Sequence, residues 1–421
     1  MRTAPLLSAL SLAAAATLTA APAGAAAPQQ EGRDCPQLSR ELAWHGDNRE
    51  QLQQAIDEAG SCSGGHRARP VAAFDWDNTI TKNDVTDAVI AWSLRHDKIL
   101  RPERWSDTSK WLTPAAEKAL TEACGTEVPV GEPLPTSTDT DCADEIFEIR
   151  AEAKTMAGDE AFEGTWNHRR TVPEYAWVPQ LFVGHTVAEL RSYAAKSRAE
   201  ALAAPVGAKQ TVGTHEIPAY VRYYDQQRDL LKTLKKAGFD VYIVSAGSEP
   251  VTEVWSKGVG IDRKHTIAIR SVLKDGRITP YNYGCGDVGV TEGEYIPYID
   301  GKRCAVNQEI FGVQGADAWK KQGEKHRIAI GGGDADTDVT FVGDATAAHL
   351  VLNRNKPEIM CRGYDDADGK WVVNPMFIEP LPQQQAPYPC ATSAYANEDG
   401  THGPVLRENG DVVPDQEDKA Y

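Results

Sequence analysis

Short apolar runs that end in polar residues recur along the chain and predict the buried strands of a parallel sheet. Buried parallel strands are nearly continuous apolar runs, because helices cover both faces of such a sheet. Runs of this form lie at residues 71–74, 239–244, 327–330 and 350–353. An amphipathic helical pattern at residues 220–238 precedes the second run. The chain is therefore expected to form an α/β fold with a parallel sheet.

The segment between the first two runs has a different pattern, with helical spacing and little strand alternation. Its helical patterns lie at residues 85–94, 114–123, 143–157 and 187–204. Loops rich in Pro, Gly and Thr separate these patterns. Residues 84–215 are therefore expected to form a mostly helical insertion that covers the tip of the first strand.

Both ends of the chain differ from this central part. Residues 1–27 combine Arg2, an apolar stretch and a small-residue cleavage motif, which is typical of a secretory signal peptide. Residues 28–69 are expected to form an N-terminal extension with one helix at 47–59, and residues 361–421 a loop-rich C-terminal extension with a mobile, polar end. No second apolar stretch is long enough to span a bilayer, so no membrane anchor is expected.

The net charge narrows the classes of partner. The chain has 61 acidic and 44 basic residues and a formal net charge of −17. Such a charge disfavours nucleic acid and anionic membranes as partners. A small anionic substrate remains compatible with it, because a bound metal ion reverses the local field.

The cysteines indicate an oxidising compartment. All 8 lie beyond the signal segment, and an even number in an exported chain predicts disulfides. None has the Cys-x-x-Cys spacing of zinc sites or redox dithiols. Eight cysteines allow about a hundred connectivities, of which pairing between neighbours is the simplest. The neighbouring pairs are Cys35 with Cys62, Cys124 with Cys142, Cys285 with Cys304, and Cys361 with Cys390.

Two carboxylates follow the first apolar run directly, in the sequence Asp75-Trp76-Asp77-Asn78-Thr79. If the strand geometry continues, the side chains of Asp75 and Asp77 point the same way, and their repulsion raises one pKa unless a cation lies between them. Open α/β sheets bind ligands at the carboxyl ends of their strands, so this turn is a candidate catalytic site. The alternative is an ordinary turn that caps the next helix.

Two further positions are candidates for binding phosphate. The sequence Ser245-Ala246-Gly247-Ser248 follows the second run and suits phosphate binding beside a helix N-terminus, although an ordinary strand-to-helix connection is the alternative. Lys302 follows residues 261–300, where a small β excursion is expected. It can neutralise a carboxylate or contact a phosphate, although most lone lysines are solvated.

A second group of carboxylates follows the third run. Three glycines lead into Asp334, Asp336 and Asp338. Carboxylates this close together repel one another and need a cation, and oxygen-rich clusters favour hard ions such as Mg²⁺. The glycines let the backbone pass close to such an ion.

The order of these motifs resembles that of the haloacid dehalogenase superfamily, in its phosphoserine-phosphatase-like branch. The resemblance covers about residues 70–355. It implies a Rossmann-like core at residues 70–83 and 216–360, with residues 84–215 inserted as a cap. It also implies a Mg²⁺-dependent phosphatase that acts through an aspartyl phosphate.

The resemblance also implies a role for each motif position. Asp75 matches the nucleophile and Asp77 the general acid/base, and an Asp at position 77 favours a phosphatase over a dehalogenase, because the leaving alkoxide needs a proton. The positions that match phosphate-binding residues are Thr79, Ser245 and Lys302. The positions that match metal ligands are Asp75, Asp77 through its backbone carbonyl, Asp334 and Asp338. Asp336 and Thr337 fall between these positions and receive no role.

Within this branch, an exported chain with an aromatic cap resembles phosphorylcholine phosphatases. Trp166, Tyr175 and Trp177 lie close together in the sequence, with Glu163 and Glu174 beside them, and such groups suit a quaternary ammonium head. The expected substrate is a small phosphate ester, with phosphorylcholine as the leading candidate. Phosphotransfer to an acceptor other than water, and a non-catalytic binding role, are the alternatives. The protein is expected to be secreted, or periplasmic where the host has an outer membrane, and its oligomeric state is left open.

Overall fold

The computed structural model describes residues 35–63 and 69–421, so the predicted signal peptide lies outside the described residues. The helices are α1 (Asn48–Ala59), α2 (Val85–Arg95), α3 (Pro114–Cys124), α4 (Thr140–Glu152), α5 (Pro173–Gln180), α6 (Val187–Ala203), α7 (Asp225–Lys236), α8 (Glu249–Ser256), α9 (Asp300–Ala305), α10 (Val339–Gly343) and α11 (Pro357–Asp365). Within the described residues, none of the helices combines the length and the apolar composition needed to cross a bilayer.

The strands are β1 (Val71–Phe74), β2 (Thr81–Lys82), β3 (Lys209–Val212), β4 (His215–Pro218), β5 (Arg222–Tyr223), β6 (Asp240–Ser248), β7 (Thr266–Ile269), β8 (Ser271–Lys274), β9 (Arg277–Asn282), β10 (Ile330–Gly333), β11 (Ala348–Asn353), β12 (Trp371–Pro375), β13 (Tyr395–Ala396) and β14 (His402–Gly403). A 6-stranded sheet has the order β12-β11-β10-β1-β6-β7, and all its neighbours are parallel. This confirms the predicted α/β fold with a parallel sheet.

Strand β1 occupies the centre of this sheet. Its Phe74 lies opposite Gly332 of β10 on one side and Ile243 of β6 on the other. Phe74 and Ile243 are fully buried, as the apolar run predicts for a central parallel strand. Because the carboxyl ends of parallel strands meet at one edge of a sheet, the residues that follow β1, β6, β10 and β11 lie near one another.

The third strand is displaced from its predicted position at residues 327–330. Strand β10 begins at Ile330 and contains the three glycines that were expected to follow it. The reason is space: a Cβ atom on Gly332 would lie 2.4 Å from Cδ1 of Phe74, and one on Gly333 would lie 2.5 Å from Cβ of Asp338. The glycines are therefore strand residues that let neighbouring side chains approach the backbone.

The chain between β1 and β6 contains α2 to α6, in agreement with the expected helical segment. Helix α4 begins and ends earlier than the predicted 143–157. It ends at Glu152 because the next residue, Ala153, adopts a left-handed backbone, with φ at 54°. Helix α5 was not predicted, since it has only 8 residues and contains Pro179. The hairpin of β3 and β4 was also missed, because its residues lie in and beside the predicted loop at 205–213. The limits of cap and core stay a prediction.

The segment around β6 also differs in detail from the sequence prediction. Helix α7 begins at Asp225, later than the pattern at residues 220–238, because residues 222–223 form β5 and pair with β2. The expected β excursion at residues 261–300 divides into two parts. Strand β7 joins the edge of the main sheet, whereas β8 and β9 form a separate hairpin.

The C-terminal segment has side chains that pack against the rest of the fold, which the sequence did not predict. The predicted mobility of its end stays a prediction. Strand β12 is the outermost strand of the main sheet and pairs with β11. Farther along the chain, Val405, Val413 and Ala420 are buried. Isolated buried side chains between polar residues leave no periodic pattern, which is why the sequence did not reveal them.

Asp418 fixes this segment to the end of β11. Its carboxylate is buried and accepts hydrogen bonds from Nδ2 of Asn353 at 2.9 Å and from the hydroxyl of Tyr364 at 2.6 Å. It also accepts one from the backbone N–H of Gln384 at 2.9 Å. The last residues of the printed sequence therefore reach the strand tips on which the candidate site is built.

The four predicted cysteine pairs are confirmed as disulfides. The bonds are Cys35–Cys62, Cys124–Cys142, Cys285–Cys304 and Cys361–Cys390. Their sequence separations are 27, 18, 19 and 29 residues, so each bond closes a local stretch of chain. Each such loop stabilises the fold by roughly 3 kcal/mol in the chain-entropy model.

Candidate active site

Three buried carboxylates meet at the carboxyl edge of the sheet. Asp75 follows β1 directly, and its backbone N–H donates to the carbonyl of Gly332 in β10 at 2.9 Å. Asp334 follows β10, and Asp338 lies four residues farther along, at the start of α10. One carboxylate oxygen from each of Asp75, Asp334 and Asp338 lies within 4.8 Å of the other two. The pairing of β1 with β10 therefore brings together residues that are far apart in the sequence.

Lys302 lies between two of these carboxylates. It belongs to α9, is fully buried, and its Nζ atom lies 2.5 Å from Oδ1 of Asp75 and 2.5 Å from Oδ1 of Asp338. Burial alone lowers the pKa of Lys302, but its ion pairs with Asp338 and Asp75 raise the pKa above its ordinary value. The side chain is therefore a buried positive charge that neutralises carboxylates, and the alternative of a solvated lysine does not apply. Its predicted contact with phosphate stays a prediction.

Backbone and hydroxyl donors hold the other carboxylate oxygens. Oδ2 of Asp338 accepts from the backbone N–H groups of Asp334 and Ala335 at 3.0 and 3.1 Å. The hydroxyl of Thr79 donates to Oδ1 of Asp334 at 2.6 Å and lies 3.3 Å from Oδ2 of Asp75. Thr79 thus joins the two strand tips, and its suggested contact with phosphate stays a prediction.

Arg354 is the second cation that pairs with a carboxylate of the cluster. It was not among the site residues predicted from the sequence. It follows β11, the strand next to β10, and its Nη1 atom donates to Oδ2 of Asp334 at 2.7 Å. Its local signal in the sequence is weak and consists of its position directly after an apolar run that was predicted to be a strand. A charged residue at such a position faces the same edge as the other candidates.

Burial shifts the proton affinity of the aspartates in this region. The pKa of Asp75 is well above its ordinary value because of burial and the neighbouring charge of Asp338, although Lys302 opposes the rise. The pKa of Asp77 is also well above its ordinary value, through burial and the charges of Asp84 and Asp75. For Asp77, which has no cation beside it among the described residues, the raised pKa favours the protonated form, and this form can donate a proton to a leaving group.

Asp77 connects the strand tip to the first helix of the insertion. Its Oδ1 atom accepts from the backbone N–H of Val85 at 2.7 Å, at the start of α2. The adjacent Asn78 has a left-handed backbone, with φ at 60°, and its side chain accepts from the N–H of Asn83 at 3.0 Å. The turn reading was therefore partly correct, since these residues do shape a turn. The N-cap of α2 is Asp84, whose carboxylate accepts from the backbone N–H of Thr86 at 2.6 Å.

Ser245 lies near the carboxyl end of β6, on the other side of β1. It is buried, and its Oγ atom accepts from the backbone N–H of Gly247 at 3.1 Å. Strand geometry continues to Ser248, so the predicted turn begins later than expected. A Cβ atom on Gly247 would lie 2.7 Å from Oγ1 of Thr86, so this glycine lets the β6 tip approach α2. The role of Ser245 in phosphate binding stays a prediction.

The aromatic residues of the insertion do not form one group. Trp177 is fully buried, and its indole N–H donates to the hydroxyl of Thr108 at 2.8 Å. Trp166 packs against Trp111, with ring centroids 6.0 Å apart. Both tryptophans are therefore packing residues, as is most common for buried aromatics.

Tyr175 is the aromatic residue that lies toward the site. The guanidinium group of Arg150 lies 5.1 Å from the centre of its ring, and the ring of Tyr298 meets it edge-on with centroids 5.8 Å apart. Burial raises the pKa of Tyr175 to about 12, with contributions from the charges of Asp84 and Asp87. Tyr175 thus has acidic neighbours at the start of α2.

Asp336 belongs to the fold rather than to the carboxylate cluster. Its Oδ1 atom accepts from the backbone N–H of Ile359 at 3.0 Å, near the start of α11. Thr337 donates its hydroxyl proton to Oδ1 of Asp338 at 3.2 Å. These contacts agree with the absence of a predicted role for either residue.

Comparison with known proteins supports this description. No family model matches the chain. The phosphorylcholine phosphatase of Pseudomonas aeruginosa is 26% identical over 211 residues, which are 43% of this chain and 55% of that protein. The match therefore spans about half the length of this relative. This match confirms the predicted resemblance to phosphatases of the haloacid dehalogenase superfamily.

Solved structures are similar in fold. A protein of unknown function from Anaerococcus prevotii has a TM-score of 0.56 at 16% identity, covering 80% of this chain and 94% of that one. A substrate-bound phosphoserine phosphatase has a TM-score of 0.30 at 13% identity, covering 68% of this chain and 87% of that one. The first similarity concerns the fold alone, and the second is too low to carry an argument.

Proposed function

We propose that this protein is a phosphomonoester hydrolase of the haloacid dehalogenase type, dependent on Mg²⁺ and acting through an aspartyl phosphate on Asp75. The observation that carries this proposal is the cluster of Asp75, Asp334 and Asp338 around the buried Lys302. Burial raises the pKa of Asp75 and Asp338 in this cluster, and buried carboxyl groups with a raised pKa are typical of functional sites.

The donor set of the cluster suits Mg²⁺. Hard divalent cations prefer carboxylate and carbonyl oxygens, and Asp75, Asp334 and Asp338 supply three carboxylates at one edge of the sheet. The charges of Lys302 and Arg354 leave one of the three negative charges without compensation. These aspartates would hold the ion, which supplies compensation for the negative charge of the phosphoryl group.

The residues around Asp75 prepare it to attack phosphorus. Lys302 holds its Oδ1 atom and Thr79 lies near its Oδ2 atom, so the orientation of the carboxylate is set before substrate binds. Attack by Asp75 forms a phosphoaspartate and expels the alcohol, and water then releases phosphate and restores the carboxylate. Lys302 and the backbone N–H groups near Ser245 stabilise the negative charge that develops on the phosphoryl oxygens.

Asp77 is the general acid and base in this proposal. Its pKa is raised above the ordinary value by burial and by the charges of Asp84 and Asp75, which favours the protonated form. It donates this proton to the leaving alkoxide and then accepts one from the attacking water.

The experiment that tests the proposal is an assay of the purified, disulfide-bonded protein with p-nitrophenyl phosphate and Mg²⁺. We expect hydrolysis that EDTA stops and added Mg²⁺ restores. Asp75→Asn should abolish turnover, whereas Asp365→Asn should not, since Asp365 is a similarly buried carboxylate that pairs with Arg407 away from the cluster. Full activity of Asp75→Asn would exclude the proposed mechanism.

We further propose a small phosphate ester with a cationic head as substrate, with phosphorylcholine as the leading candidate. Tyr175 and Tyr298 supply two aromatic rings in contact with each other, and the ring of Tyr175 already lies beside the cationic group of Arg150. The charge of Glu174 acts on both tyrosines, and that of Asp84 acts on Tyr175. Such groups recognise a quaternary ammonium by about 0.5–2 kcal/mol per ring. The match to a phosphorylcholine phosphatase supports the same choice. Trp166 and Trp177 no longer contribute to it, because both pack inside the insertion.

The substrate proposal is tested separately from the chemistry. We expect kcat/KM to be higher for phosphorylcholine than for glycerol phosphate or phosphoserine, and Tyr175→Ala to reduce this preference. Tyr242→Ala is the matched control, because Tyr242 lies in β6 beside His265, with ring centroids 4.7 Å apart. Equal kcat/KM values for phosphorylcholine and glycerol phosphate would reject the choline assignment and leave the phosphatase assignment intact.

We also propose that the protein works outside the cytoplasm. The signal-peptide pattern of residues 1–27 and the four disulfides support export, since disulfides persist in oxidising compartments. Fractionation of the host cells, with N-terminal sequencing of the mature chain, tests this. Recovery of an uncleaved chain with reduced cysteines from the cytoplasm would contradict it.

A further inference from the structure

Arg354 pairs with one oxygen of Asp334, a carboxylate that Lys302 does not contact. Its Nη1 atom lies 2.7 Å from Oδ2 of Asp334, and the hydroxyl of Thr79 lies 2.6 Å from Oδ1. Both oxygens of Asp334 therefore have partners. A divalent cation that binds Asp334 must replace Arg354 at Oδ2 or share the carboxylate with it, against the repulsion between two positive groups.

The two cations of the cluster differ in how firmly they are held. The side chain of Lys302 is 1% exposed and pairs with both Asp75 and Asp338. The side chain of Arg354 is 31% exposed and pairs with Asp334 alone among the described residues. Partly exposed ion pairs are weak, so Arg354 is the cation that an incoming metal ion displaces at the lower cost.

The backbone on either side of Arg354 is fixed, which confines any movement to its side chain. Nδ2 of Asn353 donates to Oδ1 of Asp418 at 2.9 Å and to the carbonyl of Ala420 at 2.7 Å. Asn355 donates its backbone N–H to Oδ1 of Asn353 at 2.8 Å. The negative charge of Asp84 also acts on the guanidinium group and contributes to the raised pKa of Arg354, after the larger effect of Asp334.

We propose that Arg354 is an internal counter-cation that occupies Asp334 until a divalent metal ion takes its place, and that it thereby weakens the metal affinity of the site. The inference rests on the proposed metal-dependent function, because it assumes that Asp334 is a metal ligand. Arg354 acts through Asp334, so it is a positioning residue and not a catalytic one.

The test is a calorimetric titration of Mg²⁺ into the full disulfide-bonded chain after removal of metal with EDTA, without substrate. We expect Arg354→Gln to lower the Kd for Mg²⁺ by about tenfold, because it removes the competing charge and keeps a hydrogen-bonding side chain. Arg354→Lys retains the charge and should stay near the wild-type Kd. Arg407→Gln is the matched control, since Arg407 is 35% exposed and also pairs with a buried carboxylate, Asp365.

Thermal unfolding provides a second readout that does not depend on activity. Without its counter-cation, Arg354→Gln should have a lower Tm than wild type in EDTA and a larger rise in Tm on addition of Mg²⁺. An unchanged or higher Kd in Arg354→Gln would overturn the inference, as would the absence of Mg²⁺ binding to wild type. Tighter Mg²⁺ binding without hydrolysis of any ester would preserve the inference and reject the proposed function.

Discussion

Replacing Lys302 by Met tests whether one buried cation holds the carboxylate cluster together. Lys302 is fully buried, and its Nζ atom lies 2.5 Å from both Asp75 and Asp338. Removing one partner of a buried ion pair costs about 3–5 kcal/mol, because the remaining charge stays buried without compensation. Since two carboxylates lose their shared partner here, we expect metal-free Lys302→Met to lose about 3–5 kcal/mol of unfolding free energy.

The loss of unfolding free energy in Lys302→Met should depend on pH, because it depends on whether the carboxyl groups of the cluster are ionised. Burial and Asp338 already raise the pKa of Asp75, and Lys302 opposes that rise. Without Lys302 the folded-state pKa values lie farther above their unfolded values, so folding takes up protons and stability falls as the pH rises. At acid pH, protonated carboxyl groups no longer need a cation. The difference between wild type and Lys302→Met should therefore be smaller at acid than at alkaline pH.

The measurement is urea unfolding of the metal-free protein with its disulfides intact, at about pH 5 and about pH 8. Lys82→Met is the matched control: Lys82 is also buried, but its Nζ atom donates to the carbonyl of Glu379 at 3.1 Å and makes no pair with a carboxylate of the cluster. We expect this control to change stability by less than about 1 kcal/mol. A loss below about 1 kcal/mol for Lys302→Met, or one that is equal at both pH values, would refute the reasoning.

Three further substitutions test other parts of the structure. Gly332→Ala should destabilise by about 1–3 kcal/mol in thermal unfolding, because its Cβ atom would lie 2.4 Å from Cδ1 of Phe74, whereas Gly343→Ala, with 3.8 Å to its nearest neighbour, should not. Asp77→Asn should reduce kcat far more for alkyl phosphates than for p-nitrophenyl phosphate, whose leaving group needs no proton, and equal losses would contradict its role as general acid. Asp418→Ala should cost about 1–3 kcal/mol, because it leaves buried donors without a partner, and an unchanged urea midpoint would show that this contact is dispensable.

The residues at the strand tips of the core were predictable, because the apolar run of each strand and the polar residues that follow it are adjacent in the sequence. The run before Asp75 and the amphipathic α7 each carry their own pattern, and so do the residues before Arg354. The position of β10 was not predictable from its own residues. Its glycines are explained by Phe74 and Asp338, which reach them only in the folded structure. A local reading of the sequence therefore assigned those glycines to a loop.

The candidate site was predicted in its parts but not in its contacts. Asp75, Lys302 and Asp334 were recognised by motif position, and the structure brings them together. Arg354 was missed because a single arginine after a strand has no distinctive spacing, and its meaning depends on Asp334 in the adjacent strand tip. The aromatic group was overestimated, since closeness in sequence does not determine which side of a helix faces a cleft. Trp177 belongs to α5, a helix whose pattern is too short to reveal its buried side.

The order of the disulfides has a consequence for how the protein matures. The cysteines are joined in consecutive pairs along the chain, the first with the second, the third with the fourth and so on, with separations of 27, 18, 19 and 29 residues. In the export proposed above, a chain that emerges from a translocation pore with its N-terminal side first presents its cysteines in the same order. An oxidase that joins cysteines as they appear therefore produces the native set directly, and no isomerase has to reshuffle wrong pairs. Production in a host that supplies an oxidase but lacks an isomerase should thus suffice for this fold.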